Sequence, residues 1–217
     1  MKFKYFLNDL DESAKTTVQP KTKDELEKII EDTIKEQGFN CDLNFIDTSL
    51  IKDMNYLLCN SKFNGDISKW NVSKVKDMEG MFFNSNFNGD ISKWDVSNVE
   101  SMKYVFHDSK FKRDISKWNV SRVKDMSGMF FSSEFNGDIS KWDVSNVEDM
   151  EGMFCFSKFK RDISKWDVSS VKNMTSMFKG SDFNGDISNW DVSSVENMSN
   201  MFKDSALEGN EPDWYKD

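Results

Sequence analysis

A column of regularly spaced aspartates offers the clearest candidate for metal chemistry in this sequence. The aspartates recur every 24 residues, at Asp42, Asp66, Asp90, Asp114, Asp138, Asp162 and Asp186. Carboxylates are calcium ligands, so such a ladder could hold cations. In the alternative interpretation, each aspartate accepts a backbone N–H bond within its own turn. We favour this structural role and predict no metal and no cofactor, because calcium-binding repeat proteins use a much shorter repeat with more ligands per turn.

A basic, hydroxyl-bearing column follows the aspartates and is the predicted binding surface. A serine and a lysine stand two and three positions after most of the aspartates, and Lys112-Arg113 and Lys160-Arg161 replace Asn-Gly in two units. The candidate binding residues, here called the lysine–serine face, are Ser68, Lys69, Ser92, Lys93, Arg113, Ser116, Lys117, Ser140, Lys141, Arg161, Ser164 and Lys165. An acidic protein or a glycan would suit such a surface. The alternative is a solvated face whose lysine stems cover apolar side chains, and this plainer interpretation carries more weight.

Another column alternates in the sign of its charge. Its members are Lys76, Glu100, Lys124, Glu148, Lys172 and Glu196. If successive units stack, neighbours in this column carry opposite charges, and each pair contributes roughly 0.2–1 kcal/mol. We therefore expect the alternation to stabilise the register between units.

Residues that could form an active site are scarce. The single histidine, His107, has no recurrent carboxylate beside it, so the sequence does not support a Ser-His-Asp or Cys-His arrangement. The sequence also contains no glycine-rich phosphate loop, no CxxC motif and no HExxH motif. Because an active site needs unlike groups at one place, near-identical units predict a protein that is not an enzyme.

All of these columns belong to one 24-residue repeat. Each unit begins at a phenylalanine, at Phe39, Phe63, Phe87, Phe111, Phe135, Phe159 and Phe183. Isoleucine, tryptophan, valine, methionine and a second phenylalanine return at the same interval. One unit of this length cannot bury so many apolar side chains alone, whereas stacked units can. The sequence therefore predicts seven stacked repeats over residues 39–206, with an N-terminal cap over 1–38 and a partial repeat or cap over 207–217.

Local patterns predict the secondary structure of each unit. The segment Asp-Ile-Ser-Lys-Trp predicts a short strand. The segment Asp-Met-x-x-Met-Phe predicts one or two helical turns, because it begins with a helix N-cap residue and its apolar residues share a helical face. Near the N-terminus, Thr22 and Glu25 form a capping box that predicts a helix over about residues 23–37. The sequence thus predicts an α/β repeat solenoid of short parallel strands and short helical turns, with an N-terminal helical cap.

The repeated string W-D-V-S-x-V-x-D-M-x-x-M-F closely resembles the repeat of BspA-like leucine-rich-repeat surface proteins and of mycoplasma lipoproteins. The resemblance covers residues 39–206, with partial cover to 214. It implies a leucine-rich-repeat-like right-handed coil, a location on the cell surface and a role in adhesion. It transfers no binding residues, because the family has no single shared ligand. The sequence departs from the family in lacking an export signal and a lipobox cysteine.

Charge and hydropathy limit the function further. The net charge of −9 disfavours nucleic acid and anionic membranes as partners, and no apolar run is long enough to insert into a membrane. Without a signal peptide the chain is expected in the cytoplasm, whereas the resemblance implies the cell surface, so the localisation stays open. We predict a non-enzymatic interaction or scaffold module that binds a protein or a glycan through one face of the solenoid, as a monomer or with weak self-association. The alternative is a surface adhesin that recognises a host protein or glycan.

Overall fold

The computed structural model describes residues 17–216, which contain one α-helix and no strand longer than an isolated bridge. Helix α1 (Lys23–Gln37) begins at Thr22, whose hydroxyl accepts the N–H of Glu25 at 3.2 Å. The Glu25 carboxylate in turn accepts the N–H of Lys21 at 2.7 Å, and α1 ends at Gly38 with a φ of 85°. The helix predicted from the capping box is confirmed. The rest of the predicted cap is described only from residue 17 onward.

The repeats stack through a segment that we call the turn wall. It consists of residues 54–60, 78–84, 102–108, 126–132, 150–156 and 174–180. Alternate N–H groups donate to the next repeat, as Met78 donates to the Ser101 carbonyl at 3.1 Å and Phe82 to the Val105 carbonyl at 3.0 Å. The intervening N–H groups donate three residues back within the repeat, as Met81 does to the Met78 carbonyl at 3.1 Å. The turn wall is therefore a row of tight turns joined along the stack by backbone hydrogen bonds.

The predicted α/β solenoid of parallel strands and helical turns, with its leucine-rich-repeat-like coil, is wrong. Successive repeats share isolated parallel bridges, such as that between Asp77 and Ser101, and these bridges do not extend into a sheet. In the turn wall, every second backbone N–H donates to a carbonyl of its own repeat. Two positions in each repeat have a positive φ, such as Gly80 and Asn84. Neither a strand ladder nor an α-helix can propagate through such backbone.

The predicted strand is interrupted for a similar reason. Within Asp-Ile-Ser-Lys-Trp, the N–H of Trp70 donates to the carbonyl of Ile67 at 3.1 Å, which closes a turn. Equivalent bonds recur in the following repeats, including that from Trp94 to Ile91 at 3.1 Å. The turn places isoleucine and tryptophan, three residues apart, on the same inward side, and both are buried.

The apolar columns form one continuous interior, as the stacking hypothesis required. Phe82 stacks on Phe106 of the next repeat with ring centroids 5.6 Å apart and planes 1° apart. Each indole N–H donates to a carbonyl of the preceding repeat, which is that of Leu43 for Trp70 and that of an isoleucine for the others, as Trp94 donates to Ile67 at 3.2 Å. Burying one such aromatic side chain contributes about 1.5–3 kcal/mol, so the interior dominates stability.

The N-terminal end of the interior is covered by α1, and the C-terminal end is covered in part, since Val192, Val195 and Met198 stay partly exposed. Leu26 and Ile30 of α1 are buried against the first repeat. At the other end, Trp214 stacks on Trp190 at 6.4 Å, and the Tyr215 ring meets Phe202 edge-on at 4.9 Å. Among the described residues, no helix combines the length and apolar content needed to cross a bilayer.

Candidate functional site

The aspartates of the column accept backbone hydrogen bonds within their own turns. In each of the seven repeats, an aspartate side-chain oxygen accepts the N–H of the residue two positions later, as Asp66 does from Ser68 at 2.9 Å. This hydrogen bond is the main cause that lowers the pKa of the Asp66 carboxyl below its ordinary value. Within residues 17–216, no three potential ligand side chains converge on one point where a metal ion could sit. The geometry assigns these carboxylates to backbone capping.

The lysine–serine face is a row of mixed charge rather than a cationic stripe. Its five lysines are exposed and run beside the aspartate column. The N–H of Ser116 and, to a smaller extent, the Lys117 ammonium hold the pKa of Asp114 below its ordinary value. A small hollow of about 140 Å³ lies within this face, between Ser140, Lys141, Asp162 and Lys165. The structure thus brings the predicted residues together in a row, with a carboxylate beside each lysine charge.

The two arginines of the predicted surface are tied to neighbouring repeats. The Arg113 Nε–H donates to the Asn88 carbonyl at 2.9 Å, and Arg161 bonds Asn136 in the same way at 2.9 Å. The lysine before each arginine faces the acid that directly precedes the following repeat, as Lys112 faces Glu134 at 2.5 Å. These basic pairs therefore join successive repeats, and much of their charge is already neutralised.

A cluster of partly exposed rings lies on the outside of the turn wall. This aromatic patch consists of Phe83, Tyr104, His107, Phe131 and Phe156. The His107 ring lies between Phe83, at 4.6 Å, and Phe131, at 4.5 Å with planes 1° apart. Tyr104 meets His107 edge-on at 5.5 Å, and Phe156 meets Phe131 edge-on at 5.7 Å. Phe156 is 50% exposed, so the patch presents apolar surface to solvent.

Two rings of the patch stand on backbone that favours glycine. Tyr104 has a φ of 56° and Phe156 a φ of 54°, which costs a bulky side chain on the order of 1–3 kcal/mol. At the same two turn-wall positions, other repeats have glycines, including Gly128 and Gly180. A Cβ at Gly128 would lie 2.3 Å from the Tyr104 ring, and one at Gly180 would lie 2.3 Å from the Phe156 ring. Each strained ring therefore occupies the space that a glycine of the following repeat leaves open.

The chemistry at His107 is that of a packed aromatic ring with one carboxylate beside it. Its Nδ1 lies 3.2 Å from the Asp108 carboxylate. Burial lowers the pKa of His107 below its ordinary value, and the charge of Asp108 opposes that shift. The Lys103 ammonium lies 5.1 Å from the Tyr104 ring centroid. The lowered pKa favours the uncharged form of His107, whose ring contributes to a largely apolar surface.

The alternating-charge column lines a separate, shallow groove of about 880 Å³. We call it the charged groove, and its lining residues are Glu100, Ser121, Arg122, Lys124, Asn146, Glu148, Ser169, Ser170, Lys172, Ser194 and Glu196. Two ion pairs of the expected kind form, between Lys76 and Glu100 at 2.9 Å and between Lys172 and Glu148 at 2.5 Å. Over the described range, residues 17–216, the other two members of the column, Lys124 and Glu196, form no ion pair of this kind.

Reasoning from the repeat missed the aromatic patch because it concentrated on columns that stay constant. The available signal was the alternation of Tyr56, Gly80, Tyr104 and Gly128 in one column. Glycine is common where φ is positive, so tyrosine in the same column marks large rings in strained positions. The alternating-charge column that lines the charged groove was recognised from the sequence, but it was interpreted only as stabilising the register between repeats.

A family model described as "Mycoplasma protein of unknown function, DUF285" matches the chain twice, over residues 25–134 and 131–215. No curated protein and no solved structure matches the chain. The two family matches meet near residue 131, and together they cover the helix, the repeats and the C-terminal end.

Proposed function

The chain belongs to the Mycoplasma DUF285 repeat family, and we propose that it is a non-enzymatic module that binds a protein partner on its aromatic patch. The observation that carries this proposal is the retention of Tyr104 and Phe156 at positive φ, where glycine would remove the strain. Strained residues persist where the surrounding structure or a function requires them. Here the rings are partly exposed and are absent from the equivalent positions of neighbouring repeats.

The composition of the patch suits protein recognition. Aromatic residues dominate the energetic centres of protein interfaces, where they bury large apolar areas at a small cost in side-chain entropy. Each of the five rings contacts at least one other ring of the patch, and all stand on a turn wall held by backbone hydrogen bonds. A partner would therefore meet a preorganised surface, which lowers the entropic cost of binding.

The alternative is a surface adhesin that recognises a host protein or glycan, as the BspA-like resemblance implies. One observation favours it: Tyr56 and Phe156 are 43% and 50% exposed, and exposed rings are suited to stacking on apolar faces of a ligand. Fractionation of cells that express the full chain separates the alternatives, since an adhesin must be found at the surface. The lysine–serine face stays a prediction, and its variants serve below as controls.

A glycine exchange tests the proposed function without damaging the fold. Tyr104→Gly and Phe156→Gly install the residue that other repeats already carry at these positions. We expect a partner captured by the wild-type chain, and then purified, to bind the double variant at least tenfold more weakly, since each aromatic anchor contributes about 2 kcal/mol or more. Isothermal titration calorimetry measures the loss.

Lys141→Glu on the lysine–serine face is the matched control and should leave the affinity within about twofold, as is usual for a residue outside the interface. Equal affinity of the wild type and the double glycine variant would contradict the proposal. A loss of affinity confined to Lys141→Glu would show that the partner binds on the lysine–serine face.

A further inference from the structure

We propose that the charged groove binds an extended acidic polypeptide segment, with Arg122 and Lys124 as its anchors. This site is separate from the aromatic patch and does not depend on it. The proposal rests on the geometry of the alternating-charge column, on the charge balance of the groove and on its length.

The pairing within the column leaves Lys124 between two occupied ion pairs. Glu100 pairs with Lys76, and Glu148 pairs with Lys172. In residues 17–216, no carboxylate lies within 4.0 Å of the Lys124 ammonium. The Lys76 ammonium is the main cause that lowers the pKa of Glu100, whereas Lys124 contributes less. The Lys124 charge is therefore only partly compensated.

Arg122 adds a second cation at the same level of the groove. Its Nη1–H donates to the side-chain oxygen of Asn98 at 2.7 Å. A guanidinium carries five N–H donors, so its remaining donors can take a carboxylate, and paired donors bind a carboxylate in a bidentate manner. Ser121, Ser169 and Ser170 also line the groove.

The groove is less acidic than the molecule as a whole. Its lining contains three cations, Arg122, Lys124 and Lys172, and three carboxylates, Glu100, Glu148 and Glu196, whereas the chain has a net charge of −9. Glu100 and Glu148 are already paired with Lys76 and Lys172, which leaves Arg122 and Lys124 to meet a ligand. An acidic ligand is therefore repelled less by the groove than by the rest of the surface.

The dimensions of the groove fit an extended chain. Its lining runs from Glu100 to Glu196, which are four repeats apart. Repeats joined by parallel backbone bridges are spaced by about 4.8 Å, so the groove is about 19 Å long. An extended peptide advances about 3.3 Å per residue, so about six residues fill the groove.

The test uses a fluorescein-labelled hexaglutamate peptide and the full chain at low ionic strength. We expect an increase in fluorescence anisotropy that saturates and that weakens as sodium chloride is added, because the contacts are between charges. Hexalysine, which the net charge of −9 attracts to the surface as a whole, should not bind more weakly to Lys124→Gln than to the wild type. Arg122→Asn, which installs the residue found at Asn98 and Asn146, and Lys124→Gln should each weaken binding by about tenfold, the effect of one charge-assisted hydrogen bond.

Lys141→Gln is the matched control, since it removes an exposed lysine from the lysine–serine face. It should change the affinity less than about twofold. Failure of the wild-type chain to bind hexaglutamate would overturn the proposal, and so would equal losses in Lys124→Gln and Lys141→Gln.

Carbodiimide coupling of the peptide to the wild-type chain gives a second measurement: the cross-link should form at Lys124, and a cross-link only at lysines 69, 93, 117, 141 and 165 would contradict the site. Because Phe156→Gly leaves the groove intact, it should bind hexaglutamate normally even if the aromatic patch has another role.

Discussion

The lysine–serine face and the turn wall belong to the same repeats but differ in regularity. On the lysine–serine face, the same aspartate, serine and lysine recur from repeat to repeat, and the aspartate caps its own turn. On the turn wall, the inward residues stay apolar and are mostly methionine and phenylalanine, with Leu57, Leu58 and Val105 as exceptions, while the outward positions change among tyrosine, glycine, phenylalanine, histidine and lysine. The outward changes bring Tyr104, His107 and Phe131 into one cluster.

The comparison indicates where a repeat protein carries its function. A constant column can be explained by the demands of stacking, because every repeat must make the same contacts with its neighbours. A residue that departs from its column is not required by stacking, so it needs another explanation, above all where it strains the backbone. The comparison therefore directs attention to Tyr104 and Phe156 rather than to the lysines.

The largest effect is expected from a constant, inward residue of the turn wall. Phe106 is fully buried and stacks on Phe82 and Phe130 at 5.6 and 5.8 Å. Phe106→Ala should lower the free energy of unfolding by about 3–5 kcal/mol, because it leaves a cavity in the continuous interior. Urea unfolding followed by tryptophan fluorescence measures the change, and a loss below about 1 kcal/mol would show that the interior is not shared.

A smaller effect should separate two glycines with nearly the same backbone. Gly128 and Gly152 both have a φ of 57°, but a Cβ at Gly128 would lie 2.3 Å from the Tyr104 ring, whereas one at Gly152 would lie 3.6 Å from the Phe131 ring, an ordinary contact. Gly152→Ala should cost about 1 kcal/mol through backbone strain, and Gly128→Ala about 1 kcal/mol more, because the ring must move. In a Tyr104→Gly background the extra cost should disappear. Thermal unfolding of the four variants measures this coupling, and persistence of the extra cost would disprove the ring–glycine fit.

The aspartate column should make the stability of the fold depend on pH. The N–H of Ser68 lowers the pKa of Asp66 in the folded chain, and hydrogen bonds to serines lower those of Asp90 and Asp114. A carboxyl with a lowered folded pKa stabilises the fold at pH values above its unfolded pKa of about 3.9, and this contribution is lost as pH falls through the folded pKa.

The unfolding midpoint should therefore fall as the pH is lowered below about 4. Asp66→Asn, which keeps the hydrogen-bond acceptor but cannot titrate, should make this fall shallower. A melting series from pH 6 to pH 2 measures the slope in both proteins. An unchanged slope would mean that Asp66 does not contribute through its charge. The same melts after dialysis against a chelator should show an unchanged midpoint at neutral pH, and a lowered midpoint would restore the calcium interpretation.

The smallest effect is expected on the lysine–serine face. Lys141 is exposed and lies beside the aspartate column. Lys141→Ala should change the free energy of unfolding by less than about 0.5 kcal/mol, as is usual for a solvated side chain. Differential scanning calorimetry provides the comparison with Phe106→Ala, and a loss above about 2 kcal/mol would mean that the regular face is more than a solvated surface.

The sequence predicted the repeat, the buried columns and the N-terminal helix because each of these depends on local chemistry or strict periodicity. The capping box of Thr22 and Glu25 was sufficient to place α1. The columns of tryptophan and phenylalanine were sufficient to place the interior, where Trp94 and Phe106 are buried.

The secondary structure of the repeats was predicted wrongly because one spacing fits two conformations. Methionines three residues apart, such as Met78 and Met81, suit a helical face but equally suit a turn closed by a bond between residues three apart. The positive φ values at Asn60, Asn84 and Asp108 show that the column of Asn, Asp, Ser and Gly marked left-handed backbone. The aromatic patch was missed for the same reason, because the predicted helical turns would direct these ring side chains differently from the tight turns that form.

The most direct test of the account is the free energy of unfolding of the Tyr104→Gly/Phe156→Gly variant, measured beside that of Phe106→Ala. Removing the rings loses surface contacts but also relieves two strained residues, so the double variant should remain within about 1 kcal/mol of the wild type. A loss of about 3 kcal/mol or more, comparable to that of Phe106→Ala, would show that the irregular rings serve the fold. It would then contradict the claim that departures from the repeat mark the binding surface.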